Sequence, residues 1–301
     1  MIRCLLFALL AVLSPMTLTA AESAALRVLV FGAHPDDAEY KAGASAVLWS
    51  RMGHQVKLVS VTNGDIGHWR EAGGPLAQRR TAEAAACARK LGVTSQVLDL
   101  HDGELMPSLE NRRTITRIIR EWQADVVIAP RPWDYHPDHR YVGILLQDSA
   151  FMVTVPFFCP DTKPLKKNPL FLYSSDGFKK PYPFKADIAV AVDEAFEQKL
   201  DGLHELTSQA YEGGASGSAE YLAKEVPPAS DEGARRAWLK RRWGARQGSE
   251  AERHRDALIK WYGPQLGAKI RYAEVFEICE YGRQPSAAEI RVLFPFLPAV
   301  P

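Results

Sequence analysis

The chain has 301 residues, of which 47% are hydrophobic and 24% are charged, values that are ordinary for a globular protein and exclude a disordered one. Its 37 basic and 36 acidic residues give a formal net charge of +1, so the basic excess typical of nucleic-acid-binding proteins is absent. We therefore expect no nucleic-acid partner.

The N-terminus has the layout of a secretory signal peptide. Arg3 precedes an almost unbroken apolar run from Cys4 to Leu13, and Thr19-Ala20-Ala21 supplies small residues at a cleavage point. The run is too short to span a bilayer as a stable helix, and no later segment is apolar for long enough. We predict that residues 1–21 are removed and that the mature protein is exported, to the periplasm or the cell exterior, without stable membrane insertion.

Strand and helix patterns alternate through the first half of the mature chain. Short β-branched runs predict strands, and apolar residues at helical spacing between capping residues predict helices. The predicted order is strand 26–32, helix 42–52, strand 55–62, helix 76–91, strand 93–100, helix 108–122, strand 125–129 and a helix from about residue 140. This alternation predicts an α/β fold, a Rossmann-like three-layer sandwich with a mostly parallel sheet.

The second half is less regular. The predicted elements are strand 169–173, strand 186–192, helix 193–210 capped by Asp193, a surface excursion over 212–233, helices 234–246 and 251–261, and strand 271–280. We interpret residues 22–301 as one domain, in which 22–150 form the Rossmann-like core and 151–301 an irregular C-terminal extension. The basic stretch 235–246 is expected to be a solvated helix face.

Cysteine usage argues against a disulfide framework. After removal of the leader, three cysteines remain in a large chain, an odd number. Cys87 lies in an alanine-rich helix and is expected to be buried. The pairing of Cys159 with Cys279 stays open at this stage.

The tripeptide His-Pro-Asp occurs twice, each time near the end of a predicted strand. The first copy is His34-Pro35-Asp36-Asp37 and the second is His136-Pro137-Asp138-His139. In open α/β sheets, ligands bind beyond the carboxyl ends of the strands, so both clusters are expected at one edge of the sheet. The sequence Gly32-Ala33-His34-Pro35 carries no glycine fingerprint for a dinucleotide, which disfavours an oxidoreductase.

Together the two clusters offer three histidines and three carboxylates. A catalytic zinc ion needs three nitrogen or oxygen ligands, an open position, and a nearby carboxylate that takes a proton from water. A single histidine or aspartate at a strand end is more often structural, but two such clusters at equivalent positions favour a metal site.

These residues resemble the PIG-L or LmbE-like family of zinc-dependent N-acetylglucosaminyl deacetylases. The resemblance covers roughly residues 26–209. The segments that carry it are Ala33-His34-Pro35-Asp36-Asp37, His136-Pro137-Asp138-His139, Thr62-Asn63-Gly64-Asp65, Arg80-Thr81-Ala82-Glu83 and Asp102-Gly103.

The resemblance implies a role for each matching residue. His34, Asp37 and His139 would be the ligands of one Zn²⁺ per chain, or of another divalent cation. Asp36 would be the general base. His136 would stabilise the oxyanion and protonate the leaving amine, Asp138 would orient His136, and Arg80 would bind substrate near the mouth of the site.

The function expected from these residues is hydrolysis of the N-acetyl group of an N-acetylglucosamine-type sugar or glycoconjugate, with acetate and a free amine as products. Two alternatives stay open, a metal-dependent phosphoesterase and a non-catalytic carbohydrate-binding protein. Metal stoichiometry separates the first from a one-metal deacetylase. The partner is a small molecule or a glycan, and the sequence leaves the aglycone and the oligomeric state open.

Overall fold

The computed structural model describes residues 24–299, so the predicted signal peptide lies outside the described residues. The strands are β1 (Arg27–Gly32), β2 (Gln55–Ser60), β3 (Thr94–Val97), β4 (Val126–Ala129), β5 (Leu170–Ser174), β6 (Ile188–Ala191) and β7 (Ala273–Ile278). The helices are α1 (Asp37–Arg51), α2 (Gly73–Leu91), α3 (Leu109–Trp122), α4 (Pro137–Met152), α5 (Phe196–His204), α6 (Thr207–Ala210), α7 (Ala219–Glu225), α8 (Glu232–Arg253), α9 (Arg255–Gly267) and α10 (Ala287–Leu293), with a 3-10 turn at Gly214–Ser216.

The strands form one sheet in the order β3-β2-β1-β4-β5-β7-β6. Strands β1 to β5 pair in parallel, whereas β7 is antiparallel to both of its neighbours. The predicted α/β class with a mostly parallel sheet is confirmed. Strand β1 lies next to β4, which brings the segments that follow these two strands to the same edge of the sheet.

Side chains along β1 alternate between two apolar clusters, one on each face of the sheet. Val28 and Val30 belong to the cluster that also contains side chains of α1, α2 and α5, whereas Leu29 and Phe31 belong to the cluster with side chains of α3 and α4. This alternation follows from the two-residue period of a strand, and it accounts for the continuous apolar run of a strand that is buried on both faces.

Helix α1 starts at Asp37, five residues before the predicted start, so the first His-Pro-Asp cluster leads directly into a helix. Asp37 and Glu39 lie in its first turn, where negative charge is favourable. Gly32 permits this tight connection, because a Cβ atom there would lie 2.6 Å from the Cβ atom of Asp37.

The predicted helix 193–210 is two helices, and its predicted cap is wrong. The carboxylate of Asp193 accepts the backbone N–H groups of Arg271 and Tyr272 instead of capping α5. The second helix, α6, begins at Thr207, where the carboxylate of Glu83 accepts the N–H of Ser208 at 3.1 Å. Both differences arise from contacts between residues that are distant in sequence.

Further differences lie in the C-terminal part. Helix α8 spans Glu232–Arg253, longer than predicted, α7 lies inside the predicted surface excursion, and α10 was not predicted. The arginines of α8 are not simply solvated, because Arg236 forms an ion pair with Asp201, and Arg242 and Arg246 lie over the rings of Trp238 and Trp243.

Cys87, Cys159 and Cys279 are all buried free thiols, so Cys159 and Cys279 do not pair. The hydroxyl of Tyr173 donates a hydrogen bond to the Cys279 sulfur at 3.1 Å. None of the helices in the described range 24–299 is long and apolar enough to cross a membrane.

Candidate metal centre

The two His-Pro-Asp clusters meet at the carboxyl edge of the sheet. His34 follows β1, Asp37 is the first residue of α1, and His139 lies in the first turn of α4, whose N-cap is His136. Proline at the first position of α4 is compatible with a helix start because its missing N–H has no partner there in any case.

Three side-chain atoms form a nearly equilateral triangle. Asp37 Oδ2 lies 3.3 Å from His34 Nδ1 and 3.2 Å from His139 Nε2, and the two ring nitrogens are 3.2 Å apart. Tetrahedral zinc with bonds of about 2.0–2.1 Å separates its ligand atoms by about 3.3–3.4 Å. The triangle therefore fits three ligands of a tetrahedral divalent cation, with the fourth position open.

Carboxylates lie close to the outer nitrogens of both imidazoles. His34 Nε2 lies 3.1 Å from Asp102 Oδ1 and 3.4 Å from Asp138 Oδ2, and His139 Nδ1 lies 3.2 Å from Asp134 Oδ1. Such carboxylates fix the ring orientation of metal-binding histidines and raise their basicity. We did not predict this role for Asp102 or Asp134 from the sequence. The available signals were a His-Asp-Gly turn after β3 for Asp102 and the position two residues before His136 for Asp134.

The charge of the cluster suits a cation. Burial lowers the pKa of His34, but the carboxylates of Asp102, Asp138 and Asp37 outweigh burial and hold this pKa well above its ordinary value. Burial likewise lowers the pKa of His139, and the carboxylates of Asp37 and Asp134 raise it to about 10. Carboxylates thus outnumber fixed cations here, and a divalent ion would supply the missing positive charge.

Asp36 is 8% exposed and is not part of the triangle. Burial raises its pKa to about 6, although the Arg80 guanidinium opposes this shift. The Arg80 Nη2 atom lies 3.5 Å from Asp36 Oδ1, and Arg80 also donates to the carbonyl of Gly64. A carboxylate with a pKa near neutral pH suits a general base.

Arg80 lies elsewhere than we predicted. It is 2% exposed and packs beneath Asp36 and Asp102, rather than at the mouth of the site. A Cβ atom on Gly64 or Gly67 would come within 2.3 Å of its Nη1 atom, so these two glycines make room for the guanidinium.

His136 lies beside the triangle, with a ring nitrogen within 4.8 Å of ring nitrogens of His34 and His139. Its Nδ1 atom accepts the backbone N–H of Asp138 at 3.3 Å. The Asp138 carboxylate, which we expected to orient His136, instead lies 3.4 Å from His34 and accepts the N–H of Gly103 at 2.7 Å. Burial and the positive charge of His34 lower the pKa of His136.

A second cluster consists of His68, Glu71 and Glu212. Neither ring nitrogen of its histidine has a free lone pair for a metal ion. His68 Nδ1 accepts the N–H groups of Arg70 and Glu71, so in the neutral ring the proton resides on Nε2, which lies 3.0 Å from Glu212 Oε2. Arg79 also forms ion pairs with both glutamates. This cluster links the loop after β2 to the segment after α6.

The comparisons with known proteins agree with this geometry. A protein-family model described as PIG-L, GlcNAc-PI de-N-acetylase, matches residues 29–149. This segment belongs to the PIG-L family. The matched PIG-L segment contains β1 to β4 and both His-Pro-Asp clusters, so the family resemblance seen in the sequence is confirmed.

Two proteins that are similar to this chain are named as sugar deacetylases. Diacetylchitobiose deacetylase of Thermococcus kodakarensis is 33% identical over 138 residues, which cover 44% of this chain and 52% of the relative, so the match spans about half the length of that protein. The structure of N,N'-diacetylchitobiose deacetylase from Pyrococcus horikoshii, in complex with its inhibitor MPG, is similar with a TM-score of 0.63 at 26% identity, covering 84% of each chain.

The fold alone does not decide the reaction. GalB, the 4-carboxy-2-hydroxymuconate hydratase from Pseudomonas putida, is similar with a TM-score of 0.63 at 18% identity, covering 87% of this chain and 99% of that one. Because the same fold also carries a hydratase, the reaction has to be argued from the residues of the site.

Proposed function

We propose that this chain is a metal-dependent hydrolase that removes the acetyl group from the nitrogen of an N-acetylated amino sugar or glycoconjugate. The observation that carries the proposal is the triangle of His34, Asp37 and His139 with Asp36 beside it as a buried carboxylate outside the triangle. The two relatives named as diacetylchitobiose deacetylases support the reaction and the class of sugar.

Zinc is the cation that fits this donor set, because two imidazoles and one carboxylate match its ligand preference. When bound, zinc supplies Lewis acidity, which activates water and polarises the acetamide carbonyl. The protein holds the ring orientations through Asp102, Asp138 and Asp134, so His34 and His139 present their inner nitrogens without rearrangement.

Two side chains are assigned to proton transfer. Asp36 accepts the proton of the attacking water. The pKa of its buried carboxylate, about 6, is close to neutral pH, and the Arg80 guanidinium lies 3.5 Å from it. In its imidazolium form, His136 would stabilise the oxyanion and then donate a proton to the leaving nitrogen. Amide hydrolysis needs both transfers, because the departing nitrogen is a poor leaving group until it is protonated.

Acetate release from a panel of N-acetylated sugars, with and without a chelator, tests the proposal. Asp36→Asn should keep its zinc but lose at least about 100-fold in turnover, the typical contribution of a general base. Asp161→Asn, at an exposed carboxylate that pairs with Arg117, is the matched control and should keep full activity. Full turnover by a zinc-loaded Asp36→Asn variant would exclude the assigned base, and phosphate ester hydrolysis with two metals per chain would favour the alternative reaction.

The export of the protein stays a prediction from residues 1–21. Mass spectrometry of the protein recovered from the periplasm or medium of its native host should find an N-terminus near residue 22. Recovery of the full-length chain from the cytoplasm alone would contradict this prediction.

A further inference from the structure

A cleft of about 540 Å³ lies next to the loop that carries the metal centre. Trp133, one residue before Asp134, forms part of its wall together with Tyr182 and Tyr281. The rings of Trp133 and Tyr182 meet edge to face with centroids 4.7 Å apart. Small-molecule sites are clefts of about 300–1,000 Å³ with aromatic walls and a few polar groups, so this cleft has the size of a ligand site.

One guanidinium contacts residues that line the cleft and residues that line the small cavity beside the metal centre. Arg131 binds the carboxylate of Asp176 through two hydrogen bonds of 2.6 and 2.7 Å, and Asp176 lines the small cavity that also contains Asp37 and His139. The Arg131 Nη1 atom lies 3.9 Å from Glu277 Oε2, which lines the cleft. Arg131 thus contacts a residue of the cleft wall and a residue that lines the cavity with Asp37 and His139.

The charged groups of the cleft are mostly acidic. Three carboxylates line it, those of Asp187, Glu277 and Glu280, and one ammonium group, that of Lys185. Glu277 accepts the backbone N–H of Lys185 at 3.0 Å, and Asp187 accepts the N–H of Ile278 at 2.8 Å. Each carboxylate has about four lone-pair directions, so both retain acceptor capacity for a ligand.

We propose that this cleft binds a sugar unit carrying a free primary amine, adjacent to the N-acetylated unit that reaches the metal centre. The inference rests on the proposed function and narrows its substrate class to partly deacetylated amino-sugar oligomers. Aromatic faces suit the apolar faces of a sugar ring, and the acidic side chains suit an ammonium group. An acetamido group at the same place would leave this negative charge uncompensated.

Substrate preference is the first test. The substrates are two disaccharides with the same N-acetylated unit, one with a free amine and one with a second acetamido group on the neighbouring unit. The wild-type kcat/KM should favour the amine-bearing disaccharide by about tenfold or more, as expected for one charge-assisted hydrogen bond. Glu277→Gln should bring the ratio toward one, as should Glu280→Gln at an exposed position, whereas Asp161→Asn should keep the wild-type ratio.

Binding of glucosamine to the holoenzyme is the second test, and it does not depend on turnover. Calorimetric titration should show binding of glucosamine that Glu277→Gln weakens by about tenfold or more, with N-acetylglucosamine bound more weakly at this site. Equal binding of the two sugars, together with a ratio that the variants leave unchanged, would overturn the inference. Glucosamine binding of this kind in a protein that releases no acetate would support the cleft and contradict the proposed function.

Discussion

A buried ion pair between α5 and β7, which also contacts the backbone of α1, gives the sharpest test of the energetics. Lys199 Nζ lies 2.7 Å from Glu274 Oε1, and the two side chains are 0% and 1% exposed. The Glu274 carboxylate accepts the backbone N–H groups of Ala44 and Ser45 at 3.0 and 2.7 Å, and Lys199 donates to the carbonyl of Tyr40 at 2.8 Å. The pair thus takes part in the backbone hydrogen bonding of α1, the helix that begins at the proposed metal ligand Asp37.

Removing one partner leaves the other charge buried without its counter-charge. Lys199→Met leaves a buried carboxylate with two backbone donors, and Glu274→Gln leaves a buried ammonium. Each single change should lower the free energy of unfolding by about 3–5 kcal/mol. This is a large fraction of the total stability of a typical domain, about 5–15 kcal/mol.

The double variant, Lys199→Met with Glu274→Gln, should be more stable than either single variant. No charge is then buried, and the glutamine oxygen can still accept the N–H of Ala44. The amide nitrogen faces the N–H of Ser45, so one hydrogen bond is lost, which costs about 1–3 kcal/mol.

Urea unfolding of the metal-free proteins, followed by circular dichroism, measures these free energies. Lys224 and Glu220 form an exposed pair at 2.6 Å, with 69% and 74% exposed side chains, and Lys224→Met serves as the matched control. The control should cost less than about 1 kcal/mol. Lys199→Met with the same midpoint as Lys224→Met, or a double variant weaker than both singles, would refute the reasoning.

Three further predictions concern the metal ligands and the core. Asp134→Asn should weaken Zn²⁺ binding by about 10- to 100-fold in a chelator competition, because the amide no longer holds His139 as the carboxylate does; unchanged affinity would contradict this. The apparent Zn²⁺ affinity should rise from pH 6.5 toward pH 10. The pKa of His139 in the metal-free protein is about 10, so the imidazole must lose a proton before it can bind the metal. An affinity that does not change with pH would be inconsistent with this pKa. Arg120→Met should lower the free energy of unfolding by about 3 kcal/mol or more in urea titrations, because the buried guanidinium donates to six backbone carbonyls. The control is Arg117→Met, which removes a more exposed ion pair and should cost less.

Local sequence patterns were enough to predict the sheet class and the three residues of the proposed metal site. Strand and helix patterns depend on neighbouring residues, so β1 to β5 and α2 were predicted to within a few residues. The ligand candidates His34, Asp37 and His139 were identifiable because two short clusters follow two strands, and parallel strands bring their carboxyl ends to one edge.

The groups around that triangle could be identified only from the folded structure. Asp102 reaches His34 across more than sixty residues of chain, Arg80 lies beneath Asp36, and the Asp138 carboxylate lies against His34 instead of His136. The carboxylate of Glu83, in α2, likewise accepts the N–H of Ser208 in the first turn of α6. Local patterns do not encode these contacts, because a side chain's partner across the fold depends on the packing of whole helices against the sheet.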